Sequence, residues 1–410
     1  MTAISSTSTA ARPNLADPDT YADGPPHELF IELRATTPVY WQEMSGSAGY
    51  WAILRHADVE TVARQPLLFS SAAGGVVLED LDPPRLEQMR GMLLAMDPPR
   101  HRVVRKPLTA RLTPRALAHL EDDIRTICRE VFEEAAERGT VEFVHDVAAH
   151  LPTRVVGRLM GLPREDWDRV HRLAERITHG QDPDFTAEAG TAADASAEMG
   201  GYAYQLAISR QPAADAADNL TDFLLTSMDP VEFATLFVQL VTAGQDTTQT
   251  LLSSGLLALI GHRDQLERLR ADAALIPSAV EEMARWANPL HYFRRTATAD
   301  TELNGQPIRA GDKVAMYYTS ANRDESVFCD AQQFDVGRTP NKHLSFGQAE
   351  HFCVGVHLAR LESRIFFAEL LRGFHDFELA GEPRRLRSNL NNSYKSLPIH
   401  LTPSATKLAF

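Results

Sequence analysis

Apolar positions recur with a helical period over most of the chain. The longest such run spans 233–260, and Asp229-Pro230 marks its start, a carboxylate cap ahead of a proline. The same period predicts helices over 28–34, 57–64, 114–138, 142–160, 165–178, 219–227, 263–271 and 277–286. A last one follows Gly355, with Leu358, Leu361, Ile365 and Leu370 on one face. Shorter stretches predict strands over 49–55, 293–298, 301–303, 313–318, 377–379 and 395–401, with an Asn304-Gly305 turn. Residues 70–95, broken by Gly74, Gly75, Pro83 and Pro84, read as one long loop. Residues 181–218 are rich in Ala, Gly and Asp and predict mobile helices. Residues 1–20 read as a disordered lead-in. No linker divides residues 21–410, so one domain is expected, mostly α with small β-sheets.

Composition narrows the functional classes. A chain of 410 residues with 44% hydrophobic content can bury a large core. A net charge of −14 argues against nucleic acid as a partner. Three cysteines imply a reducing, cytoplasmic setting, and none has zinc-ligand spacing with histidine. Gln239, Gln245 and Asp246 interrupt the 233–260 run, which makes it too polar to span a membrane.

Candidate chemistry concentrates at 346–362, FGQAEHFCVGVHLARLE. Cys353 sits just ahead of a helix N-terminus, where orphan N–H groups and the helix dipole favour an anion. That position predicts a readily ionised thiol, a nucleophile or a metal ligand. Other constellations are weaker singly. Within AGQDTT, Gln239, Ala243 and Thr247 share one helix face, and Ala243 and Gly244 allow close approach. The Thr247 hydroxyl can turn back to the Ala243 carbonyl. Glu282 and Arg285 are spaced for a forked ion pair, which Arg338 of FDVGR could extend. His101 and Arg105 can reach one anion from one face, and Arg295 is a third donor.

AGQDTT, Glu282 with Arg285, FDVGR and FGQAEHFC, in this order, resemble the soluble bacterial branch of the cytochrome P-450 family over residues 20–401. The resemblance implies the cytochrome P-450 fold and haem b, with Cys353 as the thiolate ligand of its iron. It places Phe346 beside the thiolate, Gly355 close to the porphyrin, and Ala243 and Gly244 over the opposite face. His101, Arg105, Arg295 and His351 fall where the family contacts the haem propionates. Glu282, Arg285 and Arg338 match a structural network. Asp246 and Thr247 match the acid–alcohol pair that delivers protons during oxygen activation. One departure stands in the cysteine loop. The family commonly has glycine where this chain has Ala349, which strains the loop if φ is positive there. The region 214–231 is also short for the family.

The substrate pocket expected from the resemblance is largely apolar. Its lining comprises Val76, Val77 and Leu78, then Leu93 and Leu94. Leu240, Leu290, Tyr292, Phe293 and Tyr394 complete it, with Gln239 as the polar exception. The implied activity is hydroxylation of a C–H bond, in natural-product biosynthesis or, alternatively, on a terpenoid, sterol or fatty-acyl chain. In the first case the substrate is a small molecule or an amino acid on a peptidyl carrier protein. Electrons come from a ferredoxin-type donor and its reductase. The donor is steered to the basic cluster Arg100, Arg102, Arg105, Lys106, Arg111 and Arg115. A monomer is expected. A haem sensor would need no proton relay, and a cysteine hydrolase would need more than His351 beside Cys353.

Overall fold

The computed structural model describes residues 13–186, 190–210 and 219–404. Its helices of six or more residues run as follows. The first half holds α1 (His27–Thr36), α2 (His56–Ala63), α3 (Pro83–Arg90), α4 (Arg100–Arg111), α5 (Glu121–Arg138), α6 (His150–Leu159), α7 (Trp167–Thr178) and α8 (Ala192–Ser209). The second half holds α9 (Leu220–Leu225), α10 (Pro230–Gly261), α11 (Arg263–Ala271), α12 (Ile276–Ala287) and α13 (Val356–Gly373).

The 32-residue α10 is the axis of the molecule. Asp229 caps it, accepting from the backbone N–H groups of Val231 and Glu232 at 2.8 and 3.1 Å, and Pro230 occupies the first turn. Helices α6, α7, α8, α12 and α13 all pack on it. One apolar cluster joins its C-terminal half to α5, α12 and α13, and a second joins its N-terminal half to α6, α7 and α8. Strands β1 (Val39–Met44), β2 (Ser47–Ile53), β3 (Phe69–Ser70), β4 (Thr140–Glu142), β5 (Tyr292–Ala297), β6 (Thr301–Leu303), β7 (Gln306–Ile308) and β8 (Lys313–Tyr317) precede the last helix. The main sheet has the order β1-β2-β8-β5-β3, with β2 and β8 parallel. Small sheets near the C-terminal end complete the fold. No described helix is long and apolar enough to cross a membrane.

Several expectations are corrected. Residues 13–20 are not a loose lead-in. Leu15 is fully buried, its N–H donates to Gln42 Oε1 at 3.1 Å, and its carbonyl accepts from Tyr317 Oη at 3.1 Å. Residues 1–12 lie outside the described residues. The 70–95 loop contains α3, because Asp82 accepts from Arg85 N–H and the paired prolines fall in the first turn. The helix expected over 114–138 breaks at a 3-10 turn, Ala118–Leu120. The helix expected over 142–160 is preceded by β4 and a π-helical turn, Val144–Ala148. In the Ala/Gly-rich region α8 is regular, started by a capping box between Thr191 and Asp194. Part of the shortened 214–231 region, residues 214–218, lies outside the described residues.

Candidate active site

The site lies between the middle of α10 and the loop before α13. Helix α10 is buried over most of its length, yet Ala243 is exposed and Gln239, Leu240, Gly244 and Thr247 are half-buried. Small side chains in one turn therefore open the helix onto the interior. Thr247 Oγ1 donates to the Ala243 carbonyl at 2.7 Å, as its spacing predicts.

The cysteine loop is held by its ends. Asn322 Oδ1 accepts from Leu344 N–H at 2.7 Å, and its Nδ2 donates to Ser345 Oγ at 2.8 Å. Cys353 N–H donates to the Phe346 carbonyl at 2.7 Å, closing the loop on itself. Gly347 turns the chain with φ +70°, and a Cβ there would lie 3.2 Å from the His351 carbonyl oxygen. Ala349 has φ +54°, a left-handed conformation that costs an L-residue about 1 kcal/mol. Phe346, His351, Cys353 and Gly355 are all half-buried. A Cβ on Gly355 would meet no protein atom within 4 Å, so this helix start borders open interior space.

Burial pushes the Cys353 thiol up, against the Gly355 N–H, Arg105 and Arg360, which draw it down. The easily ionised thiol expected from the helix start is thus corrected: desolvation outweighs the dipole. The thiol becomes a thiolate on binding a cation that shares its surroundings.

Beside it four donors converge. His101 and Arg105 lie one turn apart on α4, Arg295 comes from β5, and His351 from the cysteine loop. The His101 and His351 ring centroids are 4.4 Å apart. His351 Nε2 lies 3.2 Å from Ser71 Oγ, and His101 Nδ1 lies 3.2 Å from Glu350 Oε1. Arg105 donates to the Phe352 carbonyl, and Arg295 Nη1 donates to the Arg294 carbonyl at 2.8 Å. Among the described residues neither arginine has a carboxylate within ion-pair distance, and His101 Nε2 is buried with no hydrogen-bond partner. Burial and the neighbouring Arg295, His101 and Arg105 drive the His351 imidazole down to about 2. This excess of donors calls for an anion. A flat group carrying two carboxylates and a metal matches the donors, the thiol and the open space at Gly355, so the residues present fit haem.

Behind the loop, Glu282 and Arg285 are fully buried and form a forked pair at 2.7 Å for each contact. Arg338 Nε donates to Glu282 Oε2 at 3.1 Å, and Arg285 also donates to the carbonyls of Asn322, Ala331 and Gln333 at 2.9 Å.

The expected pocket lining divides. Val77, Leu94, Gln239, Leu240, Leu290 and Phe293 are half-buried and available to a cavity. Leu78 and Tyr292 are not: both are 0% exposed in the core beneath the main sheet, where Leu78 N–H donates to Tyr292 Oη at 3.3 Å. Val76 and Leu93 are likewise buried. Tyr394 is turned away as well, its hydroxyl accepting from Arg385 Nη2 at 2.7 Å and its ring stacked under that guanidinium.

Sequence reasoning missed the partner of Asp246. His179, which caps the C-terminus of α7, is buried with its Nε2 2.7 Å from Asp246 Oδ1. No local pattern marks it, since 67 residues separate the pair. It also missed Glu350, which accepts from Arg102 Nε at 2.9 Å and braces the loop against α4.

The family model for cytochrome P-450 matches residues 206–393. A steroid C26-monooxygenase from Rhodococcus jostii is 35% identical over 95% of this chain and 86% of its own length. Linalool 8-monooxygenase from Pseudomonas putida is 36% identical over 96% and 99%. The solved structure of a Mycobacterium marinum cytochrome P-450 in complex with pseudoionone is 35% identical and superposes with a TM-score of 0.88 over 96% of this chain and 100% of that one.

Proposed function

The chain belongs to the cytochrome P-450 family, and from that premise we propose that it hydroxylates the alkyl chain of a terpenoid, sterol or fatty acid. It is a cytochrome P-450 monooxygenase, and haem b is the cofactor of its family. The observation that carries the substrate reading is the apolar character of the half-buried residues expected to line the pocket. Leu94, Leu240, Leu290 and Phe293 offer hydrocarbon, and Gln239 alone offers an amide. The relatives at 35% and 36% identity are named for a steroid and for linalool, so this reading takes precedence over a carrier-bound amino acid.

In this reading bound haem, ligated by Cys353, supplies oxygen activation and C–H oxidation. His101, Arg105, Arg295 and His351 hold its propionates. Phe346, packed under the Arg360 guanidinium at 5.1 Å, covers the thiolate side. Glu282, Arg285 and Arg338 fix the segment that carries the loop. Thr247 holds a proton at Oγ1 and Asp246 renews it. Gln239 orients a polar end of the substrate; its Oε1 is buried without a partner among the described residues, while its side chain is half-buried at the cavity.

Electrons arrive from a separate ferredoxin-type donor and its reductase. On α4, Arg105 and His101 turn inward, while Arg100, Arg102 and Lys106 are exposed around Val103, itself 72% exposed. Arg111 and Arg115 extend this basic face. An acidic donor would be steered to it, in a cytoplasmic setting.

The test is a substrate-induced spin-state titration of the haem-loaded protein with monoterpene alcohols, sterols and branched fatty acids, beside free and carrier-bound amino acids. A spectral shift and a product with one added oxygen are expected from the first panel. A response confined to the second would overturn the reading.

A further inference from the structure

Asp246 is only 5% exposed, so it cannot collect protons from solvent directly. Its contact, His179, is 1% exposed, and the imidazole meets the Phe185 ring at a centroid distance of 4.6 Å. The second ring nitrogen, Nδ1, is buried and has no hydrogen-bond partner among the described residues. One turn back along α7, Glu175 shares the same helix face, and its Oε1 is likewise buried and without a hydrogen bond. A path through these two atoms requires a single water to bridge them.

Glu175 in turn touches two imidazoles. His145 Nδ1 lies 3.5 Å from Oε1, and His171 Nε2 lies 3.5 Å from Oε2. The His145 side chain is 41% exposed, and its Nε2 lies 3.2 Å from the Lys395 carbonyl. Thr153 Oγ1 occupies the far side of His171, 3.1 Å from Nδ1. The Lys395 amine is taken by Asp182 and Asp184. The Glu142 carboxylate lies 3.9 Å from His145, and His150, near Arg154, Glu134 and Asp168, faces His171 from α6. From surface to interior the order is therefore imidazole, carboxylate, imidazole, carboxylate.

We propose that protons reach Asp246 along this order, entering at His145, passing Glu175 and crossing His179. The proposal rests on the assignment of Asp246 and Thr247 to proton delivery. Each transfer balances. A protonated His145 releases Nδ1–H to Glu175 Oε1 and becomes neutral. The protonated Glu175 passes that proton through the water to His179 Nδ1, and its own charge returns. His179 then releases its Nε2 proton to Asp246 Oδ1. Once Asp246 has passed the proton onward, a turn of the imidazole presents N–H to Asp246 again.

The electrostatics keep the cluster charged at rest, so a protonated Glu175 is the transient, uphill member of the path. His145 is raised to about 9, chiefly by its contact with Glu175. Burial draws His179 down, but the charge and hydrogen bond of Asp246, with Glu175 behind, leave it above its ordinary value. Burial raises Glu175, and the close His145 imidazole with the other surrounding imidazoles brings it below the usual carboxylate range. His179 and Glu175 are positioning residues here, since neither touches the substrate or the cofactor.

Three variants of the haem-loaded protein test this: Glu175→Gln, His179→Gln and Asp246→Asn. Glu175→Gln leaves the His179–Asp246 contact in place, so it guards against a purely structural effect of His179→Gln. The first readout needs no turnover. Nitrogen–proton correlation spectra of the imidazoles in the ferrous carbonmonoxy form are expected to show His179 titrating above an ordinary histidine, and lower in Glu175→Gln. In turnover, Glu175→Gln and His179→Gln are expected to slow product formation on the order of tenfold and to raise its solvent deuterium isotope effect, with spectral substrate affinity unchanged. Unchanged rate and isotope effect in both, with Asp246→Asn impaired, would overturn the path and leave the role of Asp246 standing. If Asp246→Asn is also unimpaired, the underlying assignment itself fails.

Discussion

Glu282 and Arg285 stand one helical turn apart on α12 with neither side chain exposed, and both guanidinium contacts measure 2.7 Å. A buried pair of this kind adds little over an apolar isostere but is costly to halve. Arg285→Ala leaves Glu282 charged and without its strongest partner, and it frees three backbone carbonyls. The expected loss is about 3–5 kcal/mol. It is measured as a lower denaturation midpoint of the haem-loaded protein, together with faster haem loss.

Acid stability is set partly by Glu281, the neighbour of that pair. Burial raises its carboxyl, but His343 and a forked contact from Arg360 prevail and hold it at about 2. The folded value lies below the unfolded one, so the carboxylate stabilises at neutral pH. That contribution is lost as pH falls through the ordinary carboxylate range toward 2, and it amounts to about 3 kcal/mol at most. Glu281→Gln should therefore lower stability at pH 7 and differ little from the parent near pH 2, a convergence that unfolding curves at stepped pH would show.

Ala349 carries a left-handed backbone in the cysteine loop. Glycine accepts that conformation freely, although it has more entropy to lose on folding. Ala349→Gly is expected to raise stability by up to about 1 kcal/mol with the haem spectrum unchanged. A lower melting temperature would mean that the loop is not strained at this position.

Removing the Thr247 hydroxyl deletes its bond to the Ala243 carbonyl and tightens the helical ladder there. Thr247→Ala should bind substrate normally yet return less product per electron consumed, with the balance as peroxide or water. Equal coupling in parent and variant would remove Thr247 from the proton path.

Much of this site is legible in the sequence because its parts are local. Cys353, Gly355 and the start of α13 lie within a few residues of one another, and Glu282 and Arg285 within one turn. What escapes is orientation and distance. Adjacent strand residues face opposite ways, so Tyr292 enters the core while Phe293 stays half-buried, and no local pattern says which side is which. Asp82-Pro83-Pro84 reads equally as loop and as helix start, and α3 is decided by the cap. His179 meets Asp246 only because α7 crosses α10, a tertiary fact that neither segment records.

The ordered segment ahead of α1 has a consequence for folding. The carbonyl of Leu15 is taken by Tyr317 and that of Ala16 by Asn389, partners 302 and 373 residues further along. The Leu15 carbonyl also accepts from Tyr21 Oη at 3.1 Å and the Leu15 N–H donates to Gln42, so the segment is held by local partners as well as by distant ones. Only its contacts to Tyr317 and Asn389 close long stretches of chain, and closures of that length form slowly, so those two are expected late in folding.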